Sequence, residues 1–399
     1  MSIAVALYLT MTIAMQDGPY DPNPHHPWNE LHQALFTWHP LASDQAEEHE
    51  GDPLFWPLPK EAWDKWTVSK ELAGCIDRFN EKLIQDPLKR AMLQHDVWMF
   101  LDGLEGLPMG NTRTYPMGEE TERNALRQKL VPILRQLALT SEEIRSLPDN
   151  YSQAVKAKVY PPFPDPKDAE QPFLPPDLWE QESSWVLVGR EDEALLAEEH
   201  VKLVRGRSAF FILLALPEGR KATLDYLTTL RSLHQISSPP KPPVGTRVIL
   251  LRRAFLLDPK GVPQLSPLTE EIRMRVSIEA TDPGAAGLFE FHLVRSQLFS
   301  GRTVGLRTSK SEDRAAFPVF HRLATARGTI RNSCKQCHSS GAELTNGILL
   351  SGFDRSTGEK RWDGVALKAT TIDRESALTL GRQRKDESWE LISRFWPRD

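Results

Sequence analysis

The spacing of apolar residues changes twice along this chain, and that change limits its fold more than any other feature. In the first 156 residues apolar side chains recur at helical spacing, as Leu126 and Leu130 do. Between residues 184 and 310 they form runs of strand length instead, and from Asp373 to Phe395 the helical spacing returns. We therefore expect an α+β protein with a helical N-terminal region, a β-rich middle region and a small, mainly helical C-terminal domain.

The middle region predicts antiparallel strands. Ile272 and Met274 alternate with Arg273 and Arg275, which is typical of a half-buried strand. Similar strands are predicted at residues 185–188, 209–216, 246–257 and 288–294, with a helix at 220–233. Because the strands follow one another without long helices between them, antiparallel pairing is favoured, and a sandwich of two sheets is one way to arrange it.

Prolines and local signals suggest where the regions begin and end. Residues 157–177 contain seven prolines and predict an extended linker or wrapping segment. Thr140 and Glu143 have the spacing of a helix capping box. The expected organisation is a signal peptide at 1–16, a mainly helical region at 17–156, a proline-rich linker at 157–183, a β-rich domain at 184–310 and a separable small domain at 311–399.

Cys334-Lys335-Gln336-Cys337-His338 is the one stretch that indicates a particular chemistry. Two thiols three positions apart can each form a thioether with one vinyl group of a haem, and the adjacent histidine can then ligate the iron. C-x-x-C-H is accordingly the attachment pattern of c-type haem. With three cysteines and eleven histidines in the chain, chance would produce this pentapeptide in roughly one of a thousand such chains.

Three other interpretations of the motif remain open, and each lacks support elsewhere in the sequence. A zinc site needs two more ligands at comparable spacing, and only Cys75 is left as a thiol. A thioredoxin-like dithiol would end a buried strand, whereas the residues leading to Cys334 are polar. An accidental pair of structural thiols is the third. Haem attachment is the favoured interpretation.

The last 90 or so residues resemble c-type cytochromes. The resemblance rests on this motif, on a predicted helix before it and on a predicted helix at the C-terminus. The resemblance implies one covalent haem c on Cys334 and Cys337, with His338 as the proximal iron ligand. The phrase from Phe320 to Ile330 is also similar to the approach to a haem motif in bacterial dihaem peroxidases, a family with two such motifs where this chain has one. No family resemblance covers the other three quarters of the chain.

The second axial ligand of the iron is not evident from the sequence. A monohaem carrier normally supplies it downstream of the motif, most often as methionine, yet residues 339–399 contain neither Met nor His. An upstream ligand such as His321, a lysine such as Lys360 or Lys368, or an open position would each fit. Met274 is expected in the core, and His292 on the polar face of its strand.

Five histidines near the N-terminus form an unusual group. They are His25, His26, His32, His39 and His49. Such a group could bind copper or zinc, or supply a ligand to the haem from another region. The simpler interpretation is an acidic, proline-rich segment that wraps around the rest of the protein.

The first 15 residues are uncharged and mostly apolar, which predicts a signal peptide with Thr12 and Ala14 before the cleavage site. A buried N-terminal strand or helix is the alternative. Because haem c is attached outside the cytoplasmic membrane, we expect a periplasmic or otherwise extracytoplasmic protein. No other stretch approaches 18 apolar residues, so no transmembrane span is expected.

Charge is unevenly distributed along the chain. Residues 17–59 contain eight acidic side chains and no Lys or Arg, whereas residues 200–310 contain 17 basic and 8 acidic ones. The basic residues are spread along strands rather than clustered with exposed aromatics, so nucleic-acid binding is not expected.

These observations predict an exported monohaem c-type cytochrome that transfers electrons to a redox partner protein, with a large non-haem portion that docks it. A haem enzyme or gas sensor with an open axial site, peroxidase-like in chemistry, is one alternative. A structural or binding protein with an appended haem is another. The sequence assigns no catalytic residue, and it leaves the question of enzymatic activity and the oligomeric state open.

Overall fold

The structure is a computed structural model that describes residues 20–38, 49–50, 84–106, 108–109, 112–113, 118–165, 171–232, 243–277, 287–301, 304–309, 352–353, 360–361 and 366–396. The helices are α1 (Pro27–Phe36), α2 (Pro87–Gly103), α3 (Glu120–Gln136), α4 (Ser141–Ser146), α5 (Asn150–Lys156), α6 (Glu198–Leu203), α7 (Arg220–Ser232), α8 (Arg295–Ser300), α9 (Ile372–Gln383) and α10 (Glu387–Phe395).

The longer strands are β5 (Val186–Arg190), β6 (Ser208–Ala215), β7 (Arg247–Leu257), β8 (Pro263–Val276), β9 (Gly287–Leu293), β10 (Leu306–Thr308) and β13 (Leu367–Ala369). Pairs of two-residue strands are β1 (Thr37–Trp38) with β2 (His49–Glu50), β3 (Pro108–Met109) with β4 (Thr112–Arg113), and β11 (Gly352–Phe353) with β12 (Lys360–Arg361).

The seven longer strands form one antiparallel sheet in the order β10-β9-β8-β7-β6-β5-β13. Consecutive strands from β5 to β10 are neighbours, and the chain then returns to the opposite edge as β13. Helices and an antiparallel sheet together confirm the α+β class. The two-sheet sandwich is wrong for the described part of the chain, because its long strands all pair into a single sheet.

The two faces of the sheet pack against different helices. On one face Phe211, Ile272 and Met274 belong to the main hydrophobic core, which also contains the apolar residues of α2 and α3. On the other face α6, α7 and α9 contact β5, β6 and β13. Helices therefore cover much of both faces, and the alternation predicted for Ile272 and Met274 is confirmed, since both are buried.

The last elements of the chain belong to the same core as the rest. Leu367 in β13 lies opposite Arg190 in β5, and Ile392 of α10 lies in the main core. Residues 367–396 thus pack with the β-rich region, and the separable domain at residues 311–399 stays a prediction. The helix predicted from Asp373 to Phe395 is two helices, because Asp386 interrupts it and caps α10.

The described part of the proline-rich segment packs on the main core, as the wrapping interpretation expects. Phe173, Leu174 and Leu178 are almost fully buried in the main core. The hydroxyl of Tyr151 in α5 donates a hydrogen bond to the carbonyl of Pro175 at 2.6 Å. The predicted capping box of Thr140 and Glu143 is also present, with each side chain accepting from the other's backbone amide.

Candidate functional site

The residues predicted to bind haem lie outside the described residues. This holds for Cys334, Cys337 and His338 and for His321 as the possible distal ligand. The predicted signal peptide at 1–16 also lies outside them. Of the lysines considered as ligands, Lys360 lies in β12 and Lys368 in β13, where it pairs with Gly189 at the edge of the sheet.

Two other residues considered above, Met274 and His292, lie among the described residues. Met274 is fully buried in the main core, as expected. Both ring nitrogens of His292 contact neighbours, with Nδ1 at 3.1 Å from Ser309 Oγ and Nε2 at 3.0 Å from Arg307 Nη2. Because a guanidinium can only donate, Nε2 must accept and Nδ1 must carry the hydrogen. The His292 side chain thus joins β9 to β10 and to the residue that follows it.

The N-terminal histidines were considered as metal ligands, and within the described ranges no group of three or more His, Cys, Asp or Glu side chains is placed to hold a metal ion. His26 Nδ1 accepts from the amide of Trp28 at the start of α1. His32 is buried, with its ring 5.3 Å from that of Tyr20. His49 lies in β2, and His39 lies outside the described residues. The segment from Tyr20 to His32 therefore packs onto the protein, as the wrapping interpretation expects.

A buried polar group, the Tyr20 cluster, attaches this segment. It consists of Tyr20, His32, Asp96 and Arg295. The hydroxyl of Tyr20 donates to Asp96 at 2.8 Å, and Arg295 donates to both carboxylate oxygens of Asp96 and to the Tyr20 oxygen. Burial alone would raise the pKa of Asp96, but the facing guanidinium of Arg295 holds it below its usual value. The ionised carboxylate thus joins α2, α8 and the N-terminal segment.

A second and larger buried group, the His95 cluster, lies where α2 and α10 meet the sheet. It consists of His95, Asp102, Arg207, Ser208, Arg252, Glu270 and Ser388, and none of these residues is more than 3 % exposed. Three elements of the sheet, β6, β7 and β8, or the residues next to them, contribute four of the seven side chains. Such a concentration of charge in a protein interior requires close pairing.

The acids of the cluster are each paired with an arginine. Asp102 accepts from Arg207 Nε at 2.5 Å and from Ser388 Oγ at 2.7 Å. Glu270 Oε2 lies 2.9 Å from Arg252 Nε and accepts from Ser208 Oγ at 2.6 Å. The second oxygen of Glu270 lies 3.3 Å from Nε2 of His95.

Burial is the main cause of the shifted pKa values of two residues in the cluster, Asp102 and His95. It raises the pKa of Asp102 to about 6, although Arg207 opposes the shift. It also lowers the pKa of His95 to about 4, with Glu270 acting in the opposite direction. At neutral pH the cluster therefore combines two carboxylates, two guanidinium groups and a neutral imidazole.

This arrangement is not that of a nucleophile and its base. Ser208 donates to Glu270, and His95 contacts the other side of that carboxylate, so the imidazole does not reach the hydroxyl. A catalytic serine needs the base next to its hydroxyl and needs access to substrate. Ser208 is fully buried. The cluster holds elements together, and we assign no catalytic residue to it.

Two glutamates on neighbouring strands form a third buried group. Glu271 and Glu290 both contact Arg273, at 2.5 and 3.4 Å. Burial raises the pKa of Glu290 to about 8, and the adjacent Glu271 adds to that shift. Arg273 keeps the pKa of Glu271 below its usual value despite burial. The pair therefore retains a proton on Glu290 at neutral pH.

Sequence reasoning missed these clusters, although α2 carried a signal. His95, Asp96 and Asp102 stand among the apolar residues of this helix, and all three are buried. Charged residues within an otherwise apolar helix indicate buried partners, but the sequence does not say which ones.

No protein-family model, curated protein or solved structure matches this chain. Within the described ranges, none of the helices has both the length and the apolar character needed to cross a bilayer.

Proposed function

We propose that this protein is an exported c-type cytochrome with one covalently bound haem c, and that it transfers electrons to a redox partner protein. The observation that carries the proposal is the sequence from Cys334 to His338. Two thiols and an adjacent imidazole at this spacing are the donor set that covalent haem attachment requires.

The two cysteines and the histidine of the motif have separate roles in this proposal. Cys334 and Cys337 form the thioether bonds, and His338 ligates the iron. The haem supplies a reversible one-electron change at its iron. The protein adjusts the potential through the axial ligands, burial and hydrogen bonds near the haem. The apolar leader at residues 1–15 supports export to the compartment where haem c is attached.

A second candidate is a haem enzyme or gas sensor with an open iron position, peroxidase-like in chemistry. The absence of Met and His from residues 339–399 favours it, because a carrier would normally have its second ligand there. His321 is the nearest upstream residue that could fill the position. A structural or binding protein with an appended haem is a third candidate, which is supported by the structural roles of the buried clusters in the described residues.

Mass spectrometry of the full chain tests the proposal directly. The protein is produced in a bacterial host with working haem-maturation machinery, extracted with acidified acetone and digested. We expect the mass of haem to remain on the peptide that contains Cys334 and Cys337. Cys334→Ser should remove one of the two attachment points, whereas Cys75→Ser is the control and should leave attachment unchanged. An unmodified motif peptide from the natural sequence would contradict the proposal.

A further inference from the structure

The charges of the His95 cluster balance one another. Asp102 is paired with Arg207, and Glu270 with Arg252. His95 adds no charge, because its imidazole is neutral at pH 7. The cluster as a whole is therefore close to electrically neutral, although it is fully buried.

Several polar atoms in the cluster lack a hydrogen-bond partner among the residues that the structure describes. These atoms are His95 Nδ1 and Nε2, Glu270 Oε1 and Arg207 Nη1. His95 Nε2 lies 3.3 Å from Glu270 Oε1, but the two are not aligned as donor and acceptor. Most buried polar atoms in folded proteins have a partner, and leaving one without costs stability.

The buried side chain of Gln383 also has polar atoms without a hydrogen-bond partner among the described residues. Gln383 of α9 is 1 % exposed, and neither its amide nitrogen nor its amide oxygen has a hydrogen-bond partner in the described part of the chain. Its side chain packs directly against Gly206, the residue before Arg207. Gln383 therefore lies against the residue that precedes Arg207 in the chain.

We propose that the His95 cluster is a binding site for ordered internal water. Water can accept from Arg207 Nη1 and donate to Glu270 Oε1 or to a ring nitrogen of His95, so it can supply the partners that these buried atoms lack. The balance of charge selects water over an ion. A halide would add an uncompensated negative charge to a dry interior, and a cation would lie beside two guanidinium groups.

A crystal structure of the full chain, with one set of crystals soaked in bromide, tests this site. We expect a water peak within hydrogen-bonding distance of Arg207 Nη1 and Glu270 Oε1 in unsoaked crystals, and no anomalous bromide peak there after soaking. A bromide peak at this position would show an anion site and overturn the proposal. So would a direct bond between His95 and Glu270 with no density beside them.

Oxygen-17 relaxation dispersion of water in solution supplies a second measurement, because it reports internal waters with long residence times. We expect His95→Met to reduce the long-lived contribution relative to the natural sequence, since the thioether cannot replace both ring nitrogens. His95→Gln is the matched control and should retain the contribution. Equal dispersion amplitudes for folded natural protein and folded His95→Met would overturn the proposal.

Discussion

Gln94 pairs with Leu257 as a residue on an adjacent strand would. Its side-chain nitrogen donates to the Leu257 carbonyl at 2.9 Å, and its side-chain oxygen accepts from the Leu257 amide at 2.8 Å. Gln94 is fully buried in α2, and Leu257 is the last residue of β7. A helix side chain thus bonds both backbone groups of the last residue of a central strand.

Gln94→Leu should destabilise the protein through this contact. Leucine is similar in size to glutamine, but it leaves the buried amide of Leu257 without an acceptor, which costs about 1–3 kcal/mol. Urea unfolding measures the loss. Gln264→Leu is the control, because Gln264 is only partly buried and its bonds to Ser141 and Asp258 are between side chains. Equal losses for the two variants would contradict the role given to Gln94.

His95 should make the protein less stable in acid. Its pKa is about 4 in the folded protein and 6.5 as the ordinary value, so below pH 6.5 the unfolded chain binds a proton that the folded protein does not. The free energy of unfolding should therefore fall by about 3 kcal/mol at most as pH drops from about 6.5 to about 4. We expect this decrease in the free energy of unfolding to be absent from His95→Gln, as measured by urea unfolding across the same pH range.

Asp102 should have the opposite effect on the free energy of unfolding over an overlapping pH range. Its pKa is about 6 when folded and 3.8 as the ordinary value, so between these limits the folded protein binds the extra proton. Its contribution to the free energy of unfolding should rise as pH falls from about 6 to about 4, by about 3 kcal/mol at most. Asp102→Asn should therefore show a steeper acid loss than the natural sequence. An unchanged pH profile would rule out the raised pKa.

A fragment of residues 311–399 should not fold on its own. It contains β13 without its partner β5, and it exposes Ile392 and Trp389, which pack in or against the main core. Circular dichroism of the isolated fragment should show no cooperative thermal transition. A sharp transition in the fragment would instead support the separable domain that the sequence predicts.

If the protein binds haem as proposed, the optical spectrum of the full chain should lack the red charge-transfer band of an axial methionine. Residues 339–399 contain no Met, and Met274 is buried in the core. If His321 is the sixth ligand, His321→Ala should convert low-spin ferric haem to high-spin. The control is His292→Ala, which should leave the spectrum unchanged because His292 bonds Ser309 and Arg307. Rapid CO binding without any effect of His321→Ala would indicate an open position.

The strands of the sheet could be predicted because their signal is local. Alternation at Ile272 and Met274 follows from the geometry of a single strand, which repeats every two residues. The helix predicted at 220–233 is likewise close to the observed Arg220–Ser232. Each of these predictions needed only the residues of one element.

Features that depend on distant residues were not predicted. The pairing of Leu367 with Arg190 joins segments far apart in the chain, and nothing in either short strand specifies the other. The same holds for Asp96, whose partner Arg295 lies 199 residues away. Polar residues stand among the apolar ones of α2, but the identity of their partners depends on how the whole sheet folds.

Strands β10 and β13 form the two edges of the sheet, six strand spacings or roughly 29 Å apart. The stretch of chain between Ser309 and Ala366, which contains the Cys334–His338 sequence, connects these edges. A single proteolytic cut within it would leave one piece with six of the seven strands and the other with β13, α9 and α10, which remain packed against them. The nicked protein should therefore migrate as two bands under denaturing conditions but elute as one particle in native buffer.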